Sequence, residues 1–153
     1  MASFRFQRRV RASPETVFDV LTDHRGYAKI TPIRRAELER EGDPAPNGVG
    51  AIRRLSAVGP PLREEVLTYE PARRFSYTVL SGVPLRDHVG TVELTPDGDA
   101  TEVVYAVRAE PTLPLAAGAV VAVSRKAVKL LLDGIATESE RRADAERRAA
   151  AGR

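Results

Sequence analysis

The chain has 153 residues, a formal net charge of +3 and no cysteine. Its length predicts one domain of ordinary size, and the lack of cysteine excludes a disulfide framework and a thiolate metal site. No stretch reaches the roughly 18 apolar residues of a membrane span, so we predict a soluble, cytoplasmic protein without stable membrane insertion. The basic residues are spread along the chain and tryptophan is absent, which argues against a nucleic-acid partner.

The N-terminal segment predicts one strand followed by two short helices. Phe4 and Phe6 alternate with polar residues, as in a strand with one buried face. Arg8 shares the parity of the apolar face, which leaves three explanations: a strand end, a carboxylate partner or a wet cavity. Ser13 before Pro14 is typical of a helix start, with serine as N-cap and proline in the first turn. A second helical turn follows this first helix.

The rest of the chain predicts six strands and a long helix. From Ile33 to Glu110, the apolar runs are too closely spaced for crossover helices, so we predict an antiparallel meander. Leu113 to Ala136 has the periodicity of an amphipathic helix. Gly134 within it costs roughly 1 kcal/mol relative to alanine, which predicts close approach of another element, with the first helix as the candidate. Residues 1–140 are predicted to form a single domain. Residues 141–153 are predicted to form a charged tail that is either helical or frayed.

Three segments carry a resemblance to a known family: Ala12–Asp23, Asn47–Arg53 and Arg63–Tyr77. With them, the chain resembles the START-like, or helix-grip (SRPBCC), superfamily, and within it the bacterial polyketide cyclase/dehydrase and lipid-transport proteins. The resemblance runs from about Phe4 to Ile135. It implies an α+β fold of the START/Bet v 1 type, in which a seven-stranded curved antiparallel sheet grips the C-terminal helix and two short helices separate strands 1 and 2. It also implies a ligand cavity between sheet and helix.

Strand parity and helix spacing select the residues that would line such a cavity. The helix presents mainly alanine and valine, a low surface that either packs into a dry core or leaves a hollow. The predicted ligand-binding residues are Arg53, Phe75, Tyr77, His88, Val92, Tyr105, Val107, Val120, Val123, Ala127 and Leu130.

The polar candidates each have a structural alternative. His88, Tyr77 and Glu65 are the candidate acid–base groups, although inward histidines are often hydrogen-bonded core residues and inward tyrosines usually core rings. Arg53 and Glu65 form either a buried ion pair or an exposed cross-strand pair worth under about 1 kcal/mol. We predict no metal site, because His24 and His88 fall on separate elements, and no cofactor.

These features predict a protein that binds, or transports, a hydrophobic or amphipathic small molecule such as a lipid, a polyketide or an aromatic metabolite. One alternative is a polyketide cyclase or dehydratase that uses His88 and Tyr77 in acid–base catalysis. Another alternative is an interaction module whose charged C-terminal helix pairs with a partner or with a second copy of itself. The second case would give a homodimer.

Overall fold

The computed structural model describes residues 1–153 and contains seven strands and three α-helices. The strands are β1 (Ala2–Val10), β2 (Arg35–Arg40), β3 (Ile52–Ser56), β4 (Leu62–Glu70), β5 (Arg74–Ser81), β6 (Leu85–Asp97) and β7 (Ala100–Pro111). The helices are α1 (Pro14–Thr22), α2 (Tyr27–Ile30) and α3 (Ala117–Ala151). Short 3₁₀ turns, His24–Gly26 and Pro114–Ala116, precede α2 and α3.

All seven strands form one antiparallel sheet in the order β1-β7-β6-β5-β4-β3-β2. From β2 to β7 each strand pairs with the next in the chain, whereas β1 pairs with β7. Register shifts at 38–40, 66–68 and 86–89 interrupt the ladders, and such bulges bend strands. The predicted meander and helix-grip fold are confirmed, with a curved sheet, a long C-terminal helix and short helices between β1 and β2.

The first helix begins where its sequence predicts. Ser13 is the N-cap, and its hydroxyl accepts a hydrogen bond from the backbone N–H of Thr16 at 3.2 Å. Pro14 occupies the first helical position, where its missing N–H leaves no hydrogen bond unmade. α1 then buries Phe18, whose ring packs edge-on against Tyr69 with centroids 5.0 Å apart. These contacts fix α1 against the sheet.

The long helix is anchored by its second half. No residue from 117 to 131 is buried. The buried positions are Leu132, Ile135, Ala136, Ser139 and Ala143. The buried face therefore extends beyond Leu113–Ala136, the segment whose periodicity predicts the helix. Small alanine and serine side chains continue it, and their weak hydropathy hides them from the sequence pattern.

Two contacts with other elements, α2 and β1, fix α3 at its middle. A Cβ atom on Gly134 would lie 2.3 Å from the carbonyl oxygen of Ile30, so the predicted close approach is confirmed, but the neighbour is α2 and not the first helix. Arg8 of β1 pairs with Asp133, which selects a carboxylate partner among the three explanations for that arginine. Lys129 also contacts Asp133, at 3.2 Å.

The C-terminal residues continue α3 as far as Ala151. Ala143 is their last buried position, and Glu138 pairs with Arg141 and Arg142 at 2.7 and 3.0 Å. The domain boundary at residue 140 stays a prediction. None of the helices combines the length and apolarity that a membrane crossing requires.

Candidate functional site

An apolar groove opens between the first half of α3 and the β3–β4 side of the sheet. Its volume is about 420 Å³, and 12 of its 17 lining residues are hydrophobic. The helix contributes Val123, Ala127, Val128, Leu130 and Leu131. The sheet and its loops contribute, among others, Leu55, Val58, Pro60, Leu62 and Val83. Small-molecule pockets in proteins typically have this size and a mainly apolar lining.

A larger depression of about 630 Å³ lies where α2 meets α3, but only two of its nine lining residues are hydrophobic. Its walls include the charged residues Lys29, Asp133 and Glu138. Such a surface holds water more readily than an apolar ligand, because removing charged groups from water is costly. The apolar groove is therefore the better candidate site despite its smaller volume.

Glu64 and Tyr77 contribute polar atoms to the wall of the groove, and both are buried. Glu64 shares the strand parity of Val66, a core residue, so its side chain points to the interior. Arg53 on β3 lies directly opposite Glu64 in the register. The Nη2 group of Arg53 donates a hydrogen bond to Oε2 of Glu64, whereas no residue donates to Oε1.

Arg53 lies behind Glu64 among aromatic rings. Its guanidinium carbon is 5.7, 5.2 and 5.1 Å from the ring centroids of Tyr27, Phe75 and Tyr77. Burial lowers the pKa of Arg53, but the attraction of Glu64, together with the nearby hydroxyl groups of Tyr27, Tyr77 and Tyr105, raises that pKa overall. Burial raises the pKa of Glu64, and the charge of Arg53 opposes this shift. A guanidinium stays protonated in proteins, and burying it without a counter-charge is costly, so the pair is ionic.

Tyr77 connects the groove to a second buried polar cluster. Its hydroxyl is hydrogen-bonded to that of Tyr105, and burial raises the pKa of both phenols. The ring of His88 lies 5.4 Å from the ring of Tyr77, between centroids. A Cβ atom on Gly90 would lie 2.5 Å from the Tyr77 ring. Neighbours on several sides therefore hold the Tyr77 ring in one position.

The sequence matches a known family. A family model described as polyketide cyclase / dehydrase and lipid transport matches residues 1–140. The chain belongs to this family. The predicted resemblance to START-like polyketide cyclase/dehydrase and lipid-transport proteins is thereby confirmed.

Solved structures with the same fold include an aromatase/cyclase. The Zhui aromatase/cyclase from Streptomyces sp. R1128 is 23% identical with a TM-score of 0.76, and the match covers 92% of this chain and 94% of that one. The di-domain ARO/CYC StfQ from the steffimycin biosynthetic pathway is 16% identical with a TM-score of 0.76, over 93% of this chain and 51% of that one. Ara h 8.0201 is 16% identical with a TM-score of 0.69, over 89% and 95%. No curated protein sequence matches the chain.

Ten of the eleven predicted ligand-binding residues divide into two groups around the groove wall. Those that line the groove are Tyr77, Val123, Ala127 and Leu130. Those buried behind its wall are Arg53, Phe75, His88, Val92, Tyr105 and Val107. Val120 is half-buried on α3 and does not line the groove. The strand residues thus form mostly the core beneath the groove, whereas the helix residues form its open side.

Glu64, and not Glu65, faces Arg53. The carboxylate of Glu65 accepts a hydrogen bond from Nη2 of Arg40 at 3.1 Å and is partly exposed. Glu65 therefore does not join His88 or Tyr77 as an acid–base candidate. The alternation of Glu64 with Val66 was the available signal, but two adjacent glutamates made the parity of β4 ambiguous.

His24 is a further buried titratable residue, which the sequence suggested only as a rejected metal ligand. Neither of its ring nitrogens has a hydrogen-bond partner, and burial, with the nearby charge of Arg53, lowers its pKa. A lone histidine in a short polar turn gives no sequence pattern that would predict such burial. No three histidine, aspartate or glutamate side chains come together in a group that could hold a metal ion.

The stability of the fold is expected to fall on mild acidification because of His88. Burial lowers its pKa from 6.5 to about 4. Between these values the unfolded chain takes up a proton that the folded protein does not, so stability is lost as the pH falls. Urea denaturation should give a free energy of unfolding lower by about 2 kcal/mol at pH 5 than at pH 7 from this residue.

The variant His88→Gln provides the control, because glutamine is polar and does not titrate. It should remove most of the acid-induced loss and leave the smaller contribution of His24. An unchanged pH dependence in His88→Gln would contradict the burial of a neutral imidazole at this position.

Proposed function

We propose that the chain binds a hydrophobic or amphipathic small molecule in the groove between α3 and the sheet. The observation that carries this proposal is an open, mainly apolar groove of about 420 Å³ with a polar wall at Glu64 and Tyr77. Removing apolar surface from water contributes roughly 25 cal/mol per Å², so lipids, polyketides and aromatic metabolites fit the lining. The family description, which combines cyclase, dehydrase and lipid transport, supports the same class.

The proposal is tested by filling the groove. Ala127 lines the groove on α3, and Ala127→Trp adds an indole that occupies ligand space. We expect the affinity for N-phenylnaphthylamine, a neutral probe that fluoresces in apolar surroundings, to fall at least about tenfold, or 1.4 kcal/mol. Fluorescence titration measures the affinity, and circular dichroism checks that the variant is folded.

The matched control is Ala122→Trp. Ala122 is also an exposed alanine of α3, but it does not line the groove. The affinity of the Ala122→Trp variant for the probe should stay within about twofold of that of the parent, a change in binding free energy well under about 1 kcal/mol. Equal affinities in the parent and in a folded Ala127→Trp variant would refute this site.

A second candidate function is that of a cyclase or dehydratase. It is favoured by Tyr77, a phenol in the groove wall next to the ring of His88. General acid–base catalysis needs the group within hydrogen-bond reach of its substrate. The Tyr77 hydroxyl is already bonded to Tyr105 and His88 is not among the lining residues, so binding without catalysis is our first proposal.

The interaction-module function rests on the exposed, charged end of α3. Several of its charges are paired within the helix, as in Glu138 with Arg141 and Asp144 with Arg147. Charges already paired in this way have less to offer a partner, so this function ranks third.

A further inference from the structure

Glu64 is the only charged residue among the 17 that line the groove. Oε2 of this carboxylate accepts a hydrogen bond from Arg53, whereas Oε1 has no donor within the protein. The side chain is 7% exposed and Oε1 is not closed off from the groove, so the donor of a ligand can reach this charged acceptor and form a strong hydrogen bond. The groove therefore presents one strong hydrogen-bond acceptor within an apolar surface.

The positive charge that balances Glu64 is out of reach for a ligand. The side chain of Arg53 is 2% exposed, does not line the groove and is enclosed by the rings of Tyr27, Phe75 and Tyr77. A ligand carboxylate would meet the oxygen of Glu64 first, at close range and in surroundings of low polarity. Like charges in such a position repel strongly, and neither can be rehydrated.

We infer that the ligand carries a hydroxyl group, alcoholic or phenolic, which donates a hydrogen bond to Glu64, and that the groove rejects ligands that end in a carboxylate. A neutral donor suits the site better than an ammonium group, because the pair of Arg53 and Glu64 is already neutral and a further charge would have to be desolvated. This inference rests on the proposed function and adds the chemistry of the polar end of the ligand.

Three probes of the same ring size test the inference: naphthol, methoxynaphthalene and naphthoate, each substituted at the same ring position. Naphthol can donate a hydrogen bond, methoxynaphthalene cannot, and naphthoate is an anion at neutral pH. We expect calorimetric titration of the parent protein to give naphthol at least about tenfold tighter binding than either of the others, the factor expected for one hydrogen bond to a charged acceptor.

Two variants at neighbouring positions locate the effect. Glu64→Gln removes the negative charge but keeps an acceptor for Arg53, so the buried guanidinium is left with excess positive charge. Naphthoate should then bind at least about tenfold tighter than it does to the parent. Glu65→Gln is the matched control, since Glu65 pairs with Arg40 outside the groove, and it should leave all three affinities unchanged.

The outcomes separate this inference from the proposed function. Equal binding of the three probes to the parent would overturn the hydroxyl preference and leave groove binding intact, and so would a preference for naphthoate. Failure of all three to bind would overturn both. If Glu64→Gln does not fold, the comparison of naphthol with methoxynaphthalene on the parent still decides the matter.

Discussion

Arg53→Met is expected to lower the free energy of unfolding by about 3–5 kcal/mol, the usual cost of removing one partner of a buried ion pair. Arg53 and Glu64 are 2% and 5% exposed and lie opposite each other on β3 and β4. Methionine fills much of the space of the arginine, so the loss comes mainly from a carboxylate left buried without its partner. Urea denaturation at neutral pH measures the change.

Two further variants isolate the cause. The double variant Arg53→Met with Glu64→Leu removes both charges, and it should recover most of the lost stability because apolar replacements of a buried pair are often neutral. Arg54→Met is the surface control: Arg54 is the exposed neighbour on the same strand, and its effect should stay within about 0.5 kcal/mol. A double variant no more stable than Arg53→Met would show that packing, and not charge, causes the loss.

A buried ion pair that adds little to net stability calls for another explanation of its presence. Here the pair leaves one carboxylate oxygen of Glu64 in the wall of an apolar groove and keeps the guanidinium of Arg53 behind it. The arginine lowers the cost of holding an ionised carboxylate at this place. Under the proposed function, the pair serves the recognition of a ligand more than the stability of the sheet.

Much of the fold follows from local rules in the sequence. Ser13 and Pro14 mark the start of α1 through backbone chemistry that acts within a single turn. The alternation of Phe4 and Phe6 predicts β1 because side chains on a strand alternate between its faces. Such signals depend only on near neighbours along the chain, so these elements can be predicted without knowledge of tertiary contacts.

The candidate site follows from the sequence only in part, because its walls depend on contacts between distant segments. Val58 and Val83 line the groove from two loops, and neither loop has a periodicity that indicates which way its side chains point. Register shifts at 63–64 and 66–68 interrupt the pairing of β4 with β5. Since a shift of one residue reverses the face of a side chain, parity could not separate Glu64 from Glu65.

The helix gives a different case, in which residues selected by the apolar pattern lie beside the groove but are not buried. Val123, Ala127 and Leu130 belong to the predicted inward stripe, and all three line the groove, yet they are exposed. Because the buried positions of α3 begin at Leu132, its first half borders an open space. Apolar periodicity predicts which face a helix turns toward the sheet, but not whether that face is covered.

The junction of α2 and α3 gives the second large effect, Gly134→Ala. A Cβ atom at Gly134 would lie 2.3 Å from the carbonyl oxygen of Ile30, a backbone atom that cannot move without shifting α2. Overpacking of this kind costs about 1–3 kcal/mol, and the better helix propensity of alanine returns only about 1 kcal/mol. Because a contact of 2.3 Å is far too short, we expect a cost at the upper end of this range, and the free energy of unfolding should fall by about 2 kcal/mol in urea denaturation, the difference between about 3 and about 1 kcal/mol.

The same substitution elsewhere in α3 gives the control. Gly118 has no heavy atom within 4 Å of the position its Cβ would take, so Gly118→Ala should raise stability by up to about 1 kcal/mol. The opposite signs are the test, because both substitutions favour the helix, although less in the first turn at Gly118, and only Gly134 meets another element. If both substitutions stabilise the protein equally, α2 does not press on α3 at Gly134. The anchoring of the helix, and with it the groove beside its free half, would then need a different explanation.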